Sequence, residues 1–144
     1  LEYLLSVTEI GAVITNNGTT LISYNDSGTF GVKVIDPNNK ATGTFESLDF
    51  KVPVKGVEQP TIWNYTELYF APLPANTSIK YYYRTNKDGA FVQAFLANGA
   101  TSFSTANGEK AVFIINAEGE IIERQIVLTP SGNNTPEVYR EWVY

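Results

Sequence analysis

No cysteine, histidine or methionine occurs anywhere in the chain. Without cysteine there is no disulfide, no thiolate nucleophile and no sulfur-ligated metal, and the redox compartment stays open because oxidising and reducing environments both accept such a sequence. The lack of imidazole excludes a Ser-His-Asp triad, a zinc site of the usual nitrogen-ligand type and a proton shuttle working near neutral pH. With no methionine, Leu1 does not read as a translation start, and the segment is expected to follow processing or excision from something longer. Long apolar runs are also missing. No stretch of about 18 apolar residues is available to cross a bilayer, and the opening residues lack signal-peptide order, so no membrane insertion is expected. Basic residues are few and scattered, Lys33, Lys40, Lys51 and Lys55 among them, against a formal net charge of −5. They form no stripe able to neutralise phosphates, and nucleic acid is not an expected partner.

What is present is strand-forming sequence. The 144 residues are 43% hydrophobic, an ordinary share for one globular core. Val32-Lys33-Val34 alternates, Ile79-Lys80-Tyr81-Tyr82-Tyr83 is β-branched and aromatic, and Ala111-Val112-Phe113-Ile114-Ile115 is wholly apolar. Further strands are read at Val13 to Ile14, Thr20 to Tyr24, Thr44 to Phe50, Thr66 to Phe70, Phe91 to Leu96, Ile121 to Leu128 and Val138 to Tyr144. Between them stand turn formers: Asn17-Gly18, Asp36-Pro37-Asn38, Asp88-Gly89, Asn98-Gly99, Asn107-Gly108 and Glu118-Gly119. The opening stretch from Leu1 to Ile10 fits a short helix no better than an edge strand. Nine or ten short strands without helical blocks predict an all-β, two-sheet antiparallel β-sandwich of jelly-roll type. The expected organisation is one domain over 1–144, with 1–23 as N-terminal strands or an extension and 24–144 as the sandwich core.

From Thr42 onward the chain resembles jelly-roll modules of the galactose-binding-like kind, found as accessory domains of secreted bacterial proteins and in phage tail, fibre and baseplate proteins. The matching residues are Gly43-Thr44-Phe45-Glu46-Ser47, Trp63 before Leu68-Tyr69-Phe70, Leu73-Pro74-Ala75-Asn76-Thr77-Ser78-Ile79 leading to Tyr83-Arg84-Thr85, and Asp88-Gly89. Ile121-Ile122 with Ile126-Val127-Leu128, and Thr135-Pro136-Glu137-Val138 before the last strand, also match. The pattern departs at Glu120, where such modules often carry arginine, and at Glu123, where they often carry glutamine. The resemblance implies a scaffold and carries over no binding residue.

Aromatic side chains are the main candidates for recognition. Trp63, Tyr65, Tyr69, Tyr81, Tyr82, Tyr83, Tyr139, Trp142 and Tyr144 suit stacking on sugar rings or anchoring a protein interface, and equally suit a core. Strand alternation places Ile79, Tyr81 and Tyr83 on one face and Lys80, Tyr82 and Arg84 on the other, the first set buried and the second outward. Tyr82, Arg84, Asn86 and Asp88, with Trp63, are the candidate ligand-binding residues. Arg84 is set against the alternative of an internal pair with a strand glutamate. Asp26, Asp36, Asn38 and Asp88 offer hard oxygen ligands for a structural calcium, but no EF-hand spacing exists and turn formation accounts for each, so no cofactor is expected. Glu46, Asp49, Glu67, Glu120, Glu123 and Glu141 are available as a glycosidase pair, yet nothing in the sequence pairs them, and no enzymatic activity is expected. Sequons at Asn17, Asn25, Asn64, Asn76 and Asn133 follow from a composition rich in Asn, Ser and Thr.

The expectation is a non-catalytic module of a virion or cell surface that attaches to a glycan or to neighbouring subunits, as an oligomer in its parent assembly. Two alternatives stand beside it: a carbohydrate-binding module of a secreted glycoside hydrolase or adhesin, and a filament or pilin-like subunit that donates Leu1 to Ile10 as a strand.

Overall fold

A computed structural model describes residues 7–17, 19–35, 40–47, 50–51 and 60–144. The expected Asp36-Pro37-Asn38 turn, Gly18 and residues 1–6 lie outside them. The regular elements among the described residues are all strands, and the chain divides into two compact units, Leu1–Ala41 and Thr42–Tyr144.

The first unit is a three-stranded antiparallel meander of β1 (Glu9–Asn16), β2 (Thr19–Asp26) and β3 (Thr29–Ile35), in that spatial order. Asp26 pairs with Thr29 across a two-residue loop in which Ser27 and Gly28 both have positive φ, the backbone that matches strand twist in a tight hairpin. Between Ile10 and Val13 the register of β1 on β2 shifts. There Ser23 Oγ accepts a hydrogen bond from the Ala12 amide at 2.7 Å, which satisfies a donor that the ladder leaves over. β2 runs unbroken through residues 23–24, and the two units part between Ala41 and Thr42.

The second unit holds β4 (Gly43–Glu46), β5 (Phe50–Lys51), β6 (Thr61–Phe70), β7 (Ser78–Thr85), β8 (Val92–Gln93), β9 (Phe95–Leu96), β10 (Lys110–Gly119), β11 (Ile121–Thr129) and β12 (Val138–Val143). They build two antiparallel sheets: β12-β6-β10-β9, and β4-β11-β7-β8 with β5 also on β11. The expected strand from Thr44 to Phe50 is thus described as two short pieces on the same neighbour. Packing of the sheets on each other follows from period two. Thr66, Leu68 and Phe70 of β6 point inward, as do Ile79 and Tyr81 of β7, Ala111, Phe113 and Ile115 of β10, and Ile122 and Ile126 of β11. Tyr81 stacks on Phe113 across the interior with ring centroids 5.8 Å apart. Burying each such large side chain contributes about 1.5–3 kcal/mol.

Among the described residues no buried side-chain nitrogen or oxygen lacks a hydrogen-bond partner. The Tyr81 hydroxyl, wholly buried, donates to Glu141 Oε1 at 2.6 Å, and Arg124 Nη1 lies 3.1 Å from Glu141 Oε2. Burial, then the Glu141 charge, push the Tyr81 phenol far above its ordinary range, so it stays a donor. The Tyr83 hydroxyl reaches the Ile115 carbonyl at 2.9 Å. Thr77, also buried, donates to the Pro74 carbonyl at 2.7 Å, with Asn76 at positive φ. The Leu73-to-Ile79 motif is therefore a turn that feeds β7.

Candidate functional site

Trp63, one of the candidate ligand residues, is only 1% exposed, and its indole Nε1 donates to the Gly119 carbonyl at 3.0 Å. It packs in the core and presents no ring to a ligand, which corrects that assignment. Tyr82 and Arg84 do face outward on β7, as alternation requires, and neither is fully exposed. The Arg84 fork is occupied. Its Nε and Nη2 lie 2.5 and 3.1 Å from the two carboxylate oxygens of Glu123, the cross-strand neighbour, and its guanidinium carbon sits 4.7 Å from the Phe91 ring centroid. Asn86 is committed as well. Its Oδ1 accepts the amides of Glu120 and Ile121 at 2.8 and 3.3 Å, tying the end of β7 to the β10–β11 crossing. Asp88 lies exposed in the following turn, where its amide bonds the Thr85 carbonyl. Two of these four polar candidates thus serve the scaffold.

Of the calcium candidates, Asp36 and Asn38 fall outside the described residues. Asp26, in the first unit, accepts a hydrogen bond from the Thr8 hydroxyl, and Asp88 belongs to the second unit. Among the described residues no group of three acidic side chains gathers in a metal-binding cluster.

A different surface collects aromatic rings. On the outer face of the four-stranded sheet, β6 presents Tyr65, Glu67 and Tyr69, because Thr66, Leu68 and Phe70 take the inner positions. Register then sets their neighbours. Tyr69 lies between Arg140 of β12 and Lys110 of β10, Glu67 between Trp142 and Val112, and Ile114 joins Tyr65 to Phe95 of β9. Tyr144 closes this last row: its amide donates to the Tyr65 carbonyl at 2.9 Å, and the two rings stack with centroids 4.7 Å apart. Trp142, Tyr144 and Phe95 are each about half exposed, while Tyr65 and Tyr69 are partly covered.

The charges on this face are held among its own residues. Glu67 accepts from the Tyr69 hydroxyl at 2.8 Å and from Lys110 Nζ at 2.6 Å, and Lys110 hovers 5.2 Å from the Tyr69 ring centroid. The Lys110 contact, then that of Tyr69, lowers the Glu67 pKa, and the same Glu67 contact raises that of Lys110. Partial desolvation, followed by the Glu67 charge, raises the Tyr144 phenol. The result is a broad sheet face of rings on which the Tyr69 hydroxyl and the Glu67–Lys110 pair are held by one another. Of the carboxylates considered as a glycosidase pair, Glu67 meets Lys110, Glu123 meets Arg84, Glu141 meets Arg124 and Glu46 accepts from the Gln125 side-chain amide, while Asp49 lies outside the described residues.

Sequence reasoning named Tyr65, Tyr69, Trp142 and Tyr144 as candidates for stacking but did not assemble them. Alternation in Tyr65-Thr66-Glu67-Leu68-Tyr69 and in Arg140-Glu141-Trp142 was available as a signal; the pairing of β12 with β6, some 75 residues earlier, was not. Compared with protein families, curated proteins and solved structures, the chain matches none.

Proposed function

We propose that the second unit is a non-catalytic recognition module of a virion or cell surface whose aromatic sheet face, centred on Trp142, Tyr144 and Tyr65, binds carbohydrate. The observation that carries this reading is the stacked Tyr65–Tyr144 pair beside half-exposed Trp142 and Phe95 on one sheet face. Such rings match the apolar faces of pyranose sugars, and the tyrosine hydroxyls with Glu67, Lys110 and Arg140 supply hydrogen bonds at the margin. A rigid sheet offers these groups without reorganisation, which lowers the entropic cost of binding. Recognition without turnover agrees with the engagement of Glu67, Glu123 and Glu141 by Lys110, Arg84 and Arg124.

A jelly-roll derivation of the sandwich belongs to the same proposal. It is supported by the strand orders β12-β6-β10 and β4-β11-β7-β8, with the chain crossing between sheets from β5 to β6, β6 to β7, β8 to β9, β10 to β11 and β11 to β12. The virion or cell-surface setting rests on the sequence resemblance.

Affinity electrophoresis through gels containing soluble neutral polysaccharides tests the binding claim. The expected result is retardation of the full chain by at least one β-linked glucan, xylan or mannan, weakened about tenfold or more in Trp142→Ala and Tyr144→Ala, a loss of roughly 1.4 kcal/mol or more. Tyr82→Ala should migrate like the parent. Retardation by none of these polymers, or retardation indifferent to both platform substitutions, would overturn the proposal.

A further inference from the structure

The first unit is a sheet almost without a core. Of its described hydrophobic side chains only Ile22 is buried, although a three-stranded sheet needs at least one well-covered apolar face to persist in water. Its two faces are unlike. On one, Tyr24 lies across Gly31, so closely that a β-carbon there would meet the ring at 2.6 Å, and Lys33 sits 5.2 Å from the same ring centroid. Together with Thr15 and Thr20, whose hydroxyls bond at 2.9 Å, these side chains cover Ile22, while Val13 and Ile10 on the β1 edge of the same face stay 60% and 52% exposed.

The other face is open. Register places Ile14, Leu21 and Val34 in one row, Val32 beside Ser23 in the next, and Phe30 beyond them, next to Asn25. Their exposures are 60% for Ile14, 38% for Leu21, 55% for Val34, 63% for Val32 and 79% for Phe30. We infer that this face is a homodimer interface, covered by the same face of a second copy of the chain.

Three observations select that occupant. The shape asked for is another twisted sheet with β-branched side chains, since aligned sheets pack face to face at about 10 Å, and each copy supplies one. The area is consistent with a weak dimer: those exposures leave about 500 Å² of surface per copy, so two fully stacked faces bury at most about 1,000 Å² in all, the size a specific interface has to reach. Charge agrees too. A chain of net charge −5 repels its own copies, yet this face carries no charge within its apolar field. Its single carboxylate, Glu9, stands at a corner, where the Asn25 amide approaches it at 3.4 Å. A two-fold axis that reverses strand direction lays Phe30 of one copy on the Leu21–Val34 row of the other. It also keeps the two Glu9 side chains at opposite ends.

The interface is independent of the carbohydrate proposal, and sedimentation of the full chain tests it. The expected result is a concentration-dependent dimer of twice the 15.9 kDa chain mass. Val34→Lys should weaken the dimer roughly 100-fold or more, because each copy would bury an unpaired ammonium group against Phe30 of the other. Val32→Thr, which keeps the β-branch, should weaken it with the strand content unchanged by circular dichroism. Thr15→Lys, on the Ile22 face, should leave it intact. Because the parent has no cysteine, a single Val32→Cys variant gives a clean second reading: a short bismaleimide should join two copies, whereas Thr15→Cys should not be joined. A monomer at all concentrations, with Val32→Cys unjoined, would overturn the inference and leave the face to the rest of the chain or to another partner. So would a dimer indifferent to Val34→Lys. Retention on polysaccharide by the monomeric variant would show that the two proposals stand or fall separately.

Discussion

Replacing Tyr81 by phenylalanine removes one oxygen from the middle of the second unit and almost nothing else. The ring keeps its stacking on Phe113, and no cavity larger than a hydroxyl is made. What is lost is a 2.6 Å hydrogen bond to an ionised acceptor, Glu141, within a region from which water is largely excluded. Bonds to charged partners contribute about 1.5–3 kcal/mol, against about 0.5–1.5 for neutral ones. Glu141 keeps Arg124, so the loss stays below the 3–5 kcal/mol expected when a buried charge is orphaned. We expect about 2 kcal/mol. With a urea m-value of about 1.5 kcal/mol/M, the midpoint falls by roughly 1.3 M. Tyr83→Phe is the internal reference, because its hydroxyl meets a neutral carbonyl, and its expected cost is about 1 kcal/mol. Urea denaturation by far-ultraviolet circular dichroism measures both. In a Glu141→Gln background the Tyr81→Phe penalty should shrink by about 1 kcal/mol, which isolates the coupling between the two groups. If Tyr81→Phe costs no more than Tyr83→Phe, or the same in both backgrounds, the charge on Glu141 does not matter to Tyr81 and the reasoning fails.

Truncating Phe113→Ala, at the centre of the core, should cost about 3–5 kcal/mol, read in the same denaturation experiment. Asn86→Ala should destabilise by about 1–3 kcal/mol through two amides left without their acceptor, while Asp88→Ala should stay within about 0.5 kcal/mol. Glu67 has a folded-state pKa below its ordinary 4.5, so its pairing helps the fold above that pH and is lost as the pH falls through the lowered value. A carbon-detected NMR titration should therefore give a Glu67 midpoint below 4.5 that moves up in Lys110→Met. A midpoint unmoved by that change would remove Lys110 as the cause.

Alternation alone told much of the fold. The inward and outward sets of β7 follow from Ile79-Lys80-Tyr81-Tyr82-Tyr83, and strands were expected at every element of four or more residues. Turn chemistry was legible where asparagine or glycine had to adopt positive φ, as at Asn17, Gly89, Gly99 and Asn107. Function was harder to see for a physical reason. Trp63 and Trp142 are alike in composition and in strand context, and only the partner strands decide that one ring fills the core while the other faces outward. The alternative weighed for Arg84, an internal pair with a strand glutamate, is the arrangement found, with Glu123 as the partner; Asn86 looked available because cross-strand neighbours cannot be read from local sequence, and the Glu120 amide is what occupies it. The separation of the chain at Ala41 and Thr42 was hidden likewise, since strand content is high on both sides of it.

Tyr81 and Tyr83 rise from a single strand and end on two different strands of the layer above, β12 and β10, which flank β6. Sliding one layer over the other in either direction must pull both phenol tips off their acceptors at once. The two layers are therefore pinned against lateral slip, and the outer surface that β12, β6 and β10 share behaves as a stiff plate whose ring spacing does not change when something lands on it. Under the carbohydrate proposal, occupancy of that plate should leave amide exchange in β7 unchanged, with no change passed through the interior.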